Sequence, residues 1–457
     1  MARPSVTTVR ELEPQLRSRA PVSATEMARV LGVNRATITR VLPDFGPDLV
    51  TMGAARATRY ALRRDIRGAG KQWPIHRIDE SGRASEWGRL DALHERLWRI
   101  HWSGDAPQWA GYFLDTNGLW HGFPFFLSDI RPQGFLGRNI ARRVSRTLRV
   151  HEDPRLWSDD DIVIFMQAEG ADLSGNLVLG DECLRRALGG VVSGLVETEI
   201  RYPELAALAS IDATGSSVGG EHPKFATSLA DTAGGRRDVL VKFSPPVDQP
   251  TGRRWADLLL GEWHAHQILA KNGLGTAETR TLDLAGRRFL EVPRFDRTAA
   301  GGRRGIVQLE SLHAAAVGSH TRGWGNAMEE LRLLGVVDHS EVDTAMRLQA
   351  FGELIGNTDM HFGNLSLWLD DALPFRITPC YDMLPMLWAP GPQGELVERV
   401  FSPLPPAPAA MDAWRAAFPL ALEFWQNLAA DERLSAEFTG FAWAALDTLD
   451  NLRRFRE

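Results

Sequence analysis

Residues 357–364 read Asn357-Thr358-Asp359-Met360-His361-Phe362-Gly363-Asn364, and they continue into Leu365-Ser366-Leu367-Trp368-Leu369. A second acidic residue, Asp382, stands in Ile377-Thr378-Pro379-Cys380-Tyr381-Asp382-Met383-Leu384. This set is an Asp, an Asn five residues later, and a further Asp across an intervening strand pair. Phosphoryl transfer from ATP requires such a set. One carboxylate orients the attacking hydroxyl, while an amide oxygen and another carboxylate hold Mg²⁺ on the phosphates.

Working outward, four upstream segments fit the same chemistry in the order a kinase fold demands. Ser216-Ser217-Val218-Gly219-Gly220-Glu221-His222-Pro223-Lys224 offers adjacent glycines whose backbone N–H groups can approach phosphate oxygens, with Lys224 adding charge. Taken alone it reads as a surface turn, and no Gly-Lys-Ser/Thr follows to make a Walker loop. Asp238-Val239-Leu240-Val241-Lys242-Phe243 is an apolar strand carrying one lysine, like the kinase strand whose lysine meets the α/β-phosphates. A helix is expected from about Arg254 to Lys271, with Trp255, Leu258, Leu259, Ala265 and Leu269 on its apolar face. Glu262 falls on that face, and a carboxylate there is costly unless paired. Lys242 is its natural partner. In Arg287-Arg288-Phe289-Leu290-Glu291-Val292-Pro293-Arg294-Phe295-Asp296-Arg297, an apolar strand ends in an irregular segment suited to a hinge. Pro293 keeps a carbonyl that can accept from the adenine amino group, and Phe295 can supply a backbone donor.

The N-terminal part carries a different signal. Ser23 with Glu26 makes a capping box for a short helix, Gly32 stops it, and Asn34 can cap a second helix. The second helix would bury Ile38, Val41 and Leu42 and offer Arg35, Thr37, Thr39 and Arg40 outward. That is a helix-turn-helix whose exposed groups suit phosphate and base-edge contacts. Two strand-like runs follow, Leu49–Met52 and Thr58–Leu62, as in a wing. Arg56, Arg59, Arg63, Arg64 and Arg67 concentrate positive charge there. DNA binding is therefore expected, against the blander possibility of a domain used only for protein contacts.

Between these signals, strands are expected at Ile75–Ile78 and Gly111–Leu114, the latter turning at Asp115-Thr116-Asn117-Gly118. A basic helix is expected over 140–150, and a turn entering a strand over 171–180. Helices should dominate 305–357 and 410–456, with strands near 365–369 and 375–378. The proline-dense stretch 390–408 should be an ordered loop.

Composition limits the alternatives. The 457 residues are 44% hydrophobic, enough for two or three packed domains. The formal net charge is −6, so any nucleic-acid contact must come from a local basic patch. Two cysteines, Cys183 and Cys380, without metal-type spacing argue against a disulfide framework and fit a reducing cytoplasm. There is no signal-peptide core and no run of about 18 apolar residues, so no membrane span is expected.

Together these segments resemble the HipA family of toxin serine/threonine kinases, over roughly residues 70 to 457 and most strongly over 210–390. The fused helix-turn-helix resembles the YjjJ branch of that family. The resemblance implies an α+β chain in three parts. Residues 1–68 would be a winged helix-turn-helix domain. Residues 69–300 would be a HipA-like N-terminal subdomain with the kinase N-lobe, and 301–457 a mostly helical C-lobe.

The resemblance also implies roles. Asp359 would be the catalytic acceptor, and Asn364 and Asp382 would hold Mg²⁺. Residues Gly219 to Lys224 would contact ATP phosphates, with Lys242 pairing with them beside Glu262. Pro293, Arg294 and Phe295 would line the adenine pocket. His361, Phe362, Gly363, Asn364 and Tyr381 would complete the nucleotide site. Ser217, or the adjacent Ser216, would be autophosphorylated, adding about two negative charges where ATP phosphates must sit and silencing the kinase. Family substrates include aminoacyl-tRNA synthetases, which makes a translation component the implied protein substrate. Better-known members draw their DNA-binding module from a separate HipB-type antitoxin, so such a partner is open here. The Gly-Gly-Glu-His-Pro stretch departs from their phosphate loop.

Two other classes compete with a toxin kinase. One is a DNA-binding regulator whose kinase-like domain only senses a ligand. The other is a small-molecule kinase on the same lobes. The full set Lys242, Glu262, Asp359, Asn364 and Asp382 argues against the first, and the Asp/Asn/Asp arrangement does not itself specify the acceptor.

Overall fold

Along the strand Arg236–Phe243, Val239, Val241 and Phe243 are buried against Tyr202, Phe225 and Phe289. Period-two alternation therefore sends Lys242 to the opposite face. The computed structural model describes residues 8–189, 195–196, 199–212, 222–230, 236–391 and 393–453. In it this strand is central in a five-stranded sheet ordered Arg280–Leu284, Arg287–Pro293, Arg236–Phe243, Lys224–Ala230 and Leu195–Val196. The last pair is parallel and the others antiparallel. The register sets Lys224 directly across from Lys242, so both lysines belong to one face. Leu290, across from Lys242 on the other neighbour, packs on Leu259 of the helix Pro250–Lys271. That helix buries Leu258, Leu259, Ala265 and Leu269 completely. Each buried leucine contributes about 1.5–3 kcal/mol to holding helix on sheet.

The helical half is built from Leu309–Ala316, Trp324–Leu333, His339–Leu354, Met411–Ala429 and Ala436–Asp450. Phe351, Phe424 and Trp425 are fully buried in one core with Leu258, Leu260, Ala265 and Leu269 of the helix that carries Glu262. The two halves are thus continuous at their seam. The strand expected near 365–369 forms over Ser366–Trp368 and pairs with Ile306–Gln308. The one expected at 375–378 is only a pair of isolated bridges, Val337–Phe375 and Leu367–Ile377. The described residues from 390 to 407 have neither helix nor strand.

A second sheet, all antiparallel, runs Trp120–His121, Leu97–Trp102, Ala84–Ala92, Gln72–Ile78, Leu177–Leu179. It holds the expected strands at 75–78 and 177–179. Gly111–Leu114 is not a strand, because Gln108–Tyr112 forms a 3₁₀ turn. Trp109 decides this. Its ring is buried against Phe125 and Phe126 and its Nε1 donates to the Asp370 carbonyl at 2.9 Å. The expected turn at Asp115 is present, with Asp115 Oδ1 accepting from the Asn117 and Leu119 amides. The basic helix spans Gly134–Leu148.

At the N-terminal end, helices Ala24–Leu31 and Arg35–Val41 are joined through Gly32 at φ +66°. The Ser23–Glu26 capping box forms in both directions, and Asn34 accepts from the Ala36 amide at 2.9 Å. Ile38, Val41 and Leu42 are buried, while Arg35, Thr39 and Arg40 are exposed and Thr37 partly so. An antiparallel pair, Leu49–Met52 with Arg59–Leu62, follows. Its Val50, Met52 and Ala61 share a core with Leu97 of the second sheet and with Leu93 and Leu119 beside its strands. The charge expected on this hairpin is largely spent inside the molecule. Arg59 pairs with Glu26, Arg63 with buried Asp91 at 2.9 Å, Arg64 with Asp160 at 2.7 Å and Arg67 with Asp161 at 2.6 Å. The carboxylates that oppose this run lie far along the chain, where local reading does not see them. Among the described residues no helix is long and apolar enough to cross a membrane. Cys183 and Cys380 are free and buried.

Candidate active site

Lys242 and Glu262 meet as their burial demands. Lys242 Nζ donates to both Glu262 oxygens, at 2.5 and 2.7 Å, and also to Asp382 Oδ1. Lys242 and Glu262 are almost wholly out of water, whereas the Asp382 side chain keeps 26% exposure. Burial alone would lower the Lys242 pKa, but the Asp382 and Glu262 carboxylates outweigh it and hold the ammonium above the usual lysine range. Burial likewise opposes the charge on Asp382, and Lys242 reverses this, keeping Asp382 well below the usual carboxylate range. Glu262 is pushed up, by burial first and by the neighbouring Asp382 charge, against the pull of Lys242. One cation thus serves two carboxylates, and Asp382, the more exposed one, stays ionised.

Asp359 lies in the loop after the helix His339–Leu354. Asn357 ties that loop to the Asp382 loop. Its Oδ1 accepts from the Asp359 amide at 3.0 Å, and its Nδ2 donates to the Asp382 carbonyl at 3.2 Å. Asn364 donates from Nδ2 to the Asp359 carbonyl at 2.8 Å, which turns its Oδ1 to be the end left for a cation. Asp382 itself adopts φ +54°, an uncommon backbone for a non-glycine residue. The Asp359 and His361 side chains are about half exposed, with His361 Nε2 4.0 Å from Asp359 Oδ1. His361 also caps the following 3₁₀ turn, its Nδ1 accepting from the Gly363 amide at 3.0 Å. Trp324 Nε1 fixes the loop by donating to the His361 carbonyl at 3.0 Å.

Tyr381 locks the two loops together a second time. Its hydroxyl donates to the Gly363 carbonyl at 2.9 Å and shares a 2.7 Å hydrogen bond with Ser366. Burial raises its pKa, so it remains a neutral donor. Phe295 lies against Tyr381, ring centroids 5.9 Å apart. Pro293 ends its strand opposite Val239. Arg294 turns away: its guanidinium bonds Asp296 and Asp172 at 3.0–3.1 Å. Phe362 packs on His313.

The expected phosphate loop is only partly described. Ser216, Ser217, Gly219, Gly220 and Glu221 lie outside the described residues. His222 is buried, edge-on to Trp255, with neither ring nitrogen hydrogen-bonded. Burial and the nearby lysines keep it neutral, well below the usual histidine pKa. The Pro223 carbonyl accepts from the Phe243 amide at 3.1 Å, joining this segment to the Lys242 strand.

Sequence reasoning assigned no role to Asn357, although its place two residues before Asp359 is the spacing of an Asx turn. It also missed His266, one turn after Glu262, fully buried with both ring nitrogens unpartnered. Asn364 and Asp382 suit Mg²⁺, which takes one or two protein oxygens and completes its octahedron with water and phosphate. Among the described residues, no group of three or more His, Cys, Asp or Glu could hold a metal.

Comparison with known proteins identifies the family and the fold. The profile "YjjJ-like toxin, middle domain" matches residues 69–188, and "HipA-like C-terminal domain" matches 216–421. The chain is 36% identical to Toxin YjjJ of Escherichia coli (strain K12) over 429 residues, 92% of this chain and 93% of that protein. Among solved structures, it resembles a chain of the Shewanella oneidensis MR-1 toxin–antitoxin complex of HipA, HipB and operator DNA. That match has a TM-score of 0.53 at 15% identity, covering 84% of this chain and 99% of that one. At such identity the likeness is one of fold.

Proposed function

Because the chain belongs to the family of YjjJ-like toxins with a HipA-like C-terminal domain, we propose that it is an ATP- and Mg²⁺-dependent serine/threonine protein kinase acting as a toxin. The observation that carries this reading is the convergence of Lys242, Glu262 and Asp382 on one ammonium, with Asn357 tying the Asp359 loop to the same point.

In this reading Asp359 sits at the cleft mouth and accepts a hydrogen bond from the incoming hydroxyl, then its proton as the P–O bond forms. Lys242, held by Glu262, neutralises α/β-phosphate charge. Asn364 Oδ1 and Asp382 would hold Mg²⁺, which supplies charge neutralisation at the transferring phosphoryl group. Phe295 and the Pro293 carbonyl border the adenine. Ser217 or Ser216 is the self-phosphorylation site, and its phosphate would repel ATP from the glycine loop. The acceptor protein is a translation component of the aminoacyl-tRNA synthetase kind, and the medium is the cytoplasm.

The helix pair and hairpin at residues 22–62 are read as a winged helix-turn-helix head that binds DNA through Arg35, Thr37, Thr39 and Arg40, with Arg56 at the hairpin tip. Arg59 plays a smaller part, being paired with Glu26. The relative from Shewanella oneidensis assembles with HipB and operator DNA; a HipB-like partner is correspondingly proposed here.

The test is γ-phosphate transfer from labelled ATP by purified wild-type and Asp359→Ala proteins, with mass spectrometry on residues 216–217. Transfer should fall by about 10²–10⁴-fold in the variant. Equal incorporation by both would remove the catalytic assignment, and phosphate on neither serine would remove the switch.

A further inference from the structure

Away from the active site, Arg303 is a buried cation without an ionic contact. It is 6% exposed. Its Nη2 donates to the Ala171 carbonyl at 2.6 Å, and its Nη1 has no hydrogen-bond partner at all. None of the ion pairs among the described residues involves it, and buried guanidinium groups are otherwise paired. It lines a cavity of about 170 Å³ between the middle sheet domain and the kinase-like half.

The charge in that cavity is unbalanced. Four arginines line it: Arg186 from the middle domain, and Arg236, Arg297 and Arg303 from the other side. Only two carboxylates face them, Asp172 and Asp238. Both are already engaged, Asp172 with Arg297 at 2.8 Å and Asp238 with Arg236 at 2.8 Å. Arg186 spends its nearer hydrogen bonds on the Ala168 and Gln167 carbonyls, with Glu182 only at 3.9 Å. Arg297 is also paired with Asp296 at 2.7 Å, so of the four arginines Arg303 alone has no ion pair among the described residues. Burial and the neighbouring Arg297 lower the Arg303 pKa to about 10, against the opposing pull of the Asp172 and Asp296 carboxylates.

We propose that this cavity is a binding site for a phosphate-class oxyanion, either free phosphate or the phosphoryl group of a small phosphomonoester, seated on Arg303 Nη1 and Arg186. Guanidinium forks match tetrahedral oxyanions in geometry and in sign of charge. The residues come from both domains, so the bound anion pins the middle domain to the segment 294–303 that follows the hinge strand.

The experiment is calorimetric titration of the full chain at constant ionic strength with sodium phosphate, with glycerol phosphate, and with chloride as the monovalent control. Arg303→Met, Arg303→Lys, Arg186→Ala and Lys242→Met are compared, and thermal melting confirms that each is folded. Wild-type and Lys242→Met should bind one phosphate group per chain. Arg186→Ala should bind at least tenfold more weakly, and Arg303→Met should show no binding. Arg303→Met should also melt higher than wild-type in phosphate-free buffer, having lost an uncompensated buried charge. Preference for glycerol phosphate would identify an esterified ligand, and preference for phosphate the free ion. Binding that survives in both Arg303→Met and Arg186→Ala, or that is lost in Lys242→Met alone, would place the anion elsewhere and overturn the proposal. Absence of binding to wild-type by either ligand would do the same.

Discussion

Asn357 shows how much of this site depends on single hydrogen bonds. It makes no contact expected of a reacting group, yet it joins the backbones of the two acidic loops. Asn357→Ala should lower kcat about ten- to a hundredfold, the cost of a misplacement near 1 Å. KM for ATP should change much less, because Lys242 and Glu262 are untouched. A steady-state kinetic split in the opposite sense would remove the positioning role. His266 gives a pH prediction. Burial first, then Lys242, depresses its pKa to about 3 from an ordinary 6.5. The unfolded chain therefore binds a proton there before the folded one does. The stabilisation is full above pH 6.5 and is lost as pH falls toward 3. His266→Leu should flatten the loss of stability across that window by a few kcal/mol. Identical denaturation profiles for the two proteins between pH 4 and 7 would contradict it. At this scale the sequence was readable where a motif has fixed spacing, as with Asp359, Asn364 and Asp382. It was silent on His266, because a histidine in an amphipathic helix carries no mark of whether its nitrogens find partners.

At the scale of elements, the helix Pro250–Lys271 is the part whose placement matters most. Its amphipathic pattern and the misfit of Glu262 made both the helix and its partner legible in advance. What periodicity does not reveal is how near the helix approaches the Asp382 loop. Gly261 sets that distance. A Cβ there would come within 3.0 Å of the Pro385 ring, three residues past Asp382. Gly261→Ala gains about 1 kcal/mol of helix propensity against a mild clash. Gly261→Val adds branching against a rigid ring, so the helix must shift and carry Glu262 away from Lys242. Activity of Gly261→Val should fall at least tenfold while Gly261→Ala stays within a few-fold of wild-type. Equal activities for both would show that helix and loop move independently. The strand expected at 111–114 failed for a related reason. Its apolar residues suit a strand locally, but burial of Trp109 among distant aromatics fixes a turn instead.

Across the whole molecule, the N-terminal head, the middle sheet and the two kinase-like halves form one connected body. The hairpin Leu49–Leu62 packs on the middle domain, and the arginines that read as a basic patch mostly anchor it there. Their carboxylate partners lie up to 96 residues away, as for Arg64 and Asp160, so no local reading could have discounted them. In the proposed function, DNA contact would therefore fall mainly on the helix Arg35–Val41. Arg35→Ala with Arg40→Ala should weaken DNA binding in a gel shift by at least tenfold and reduce its salt dependence. Arg63→Ala should instead lower the melting temperature by breaking a pair with buried Asp91. A double variant that shifts DNA like wild-type would exclude that helix as the reader.

The central claim is that Asp359, Lys242 and Asp382 perform phosphoryl transfer to protein hydroxyls. Phosphoproteomics after brief expression, comparing wild-type with Asp359→Ala at matched protein levels, tests it most directly. The prediction is a small set of serine or threonine sites, phosphorylated only with the wild-type chain and including a translation component. The same set of phosphosites in both samples, or none in either, would contradict it.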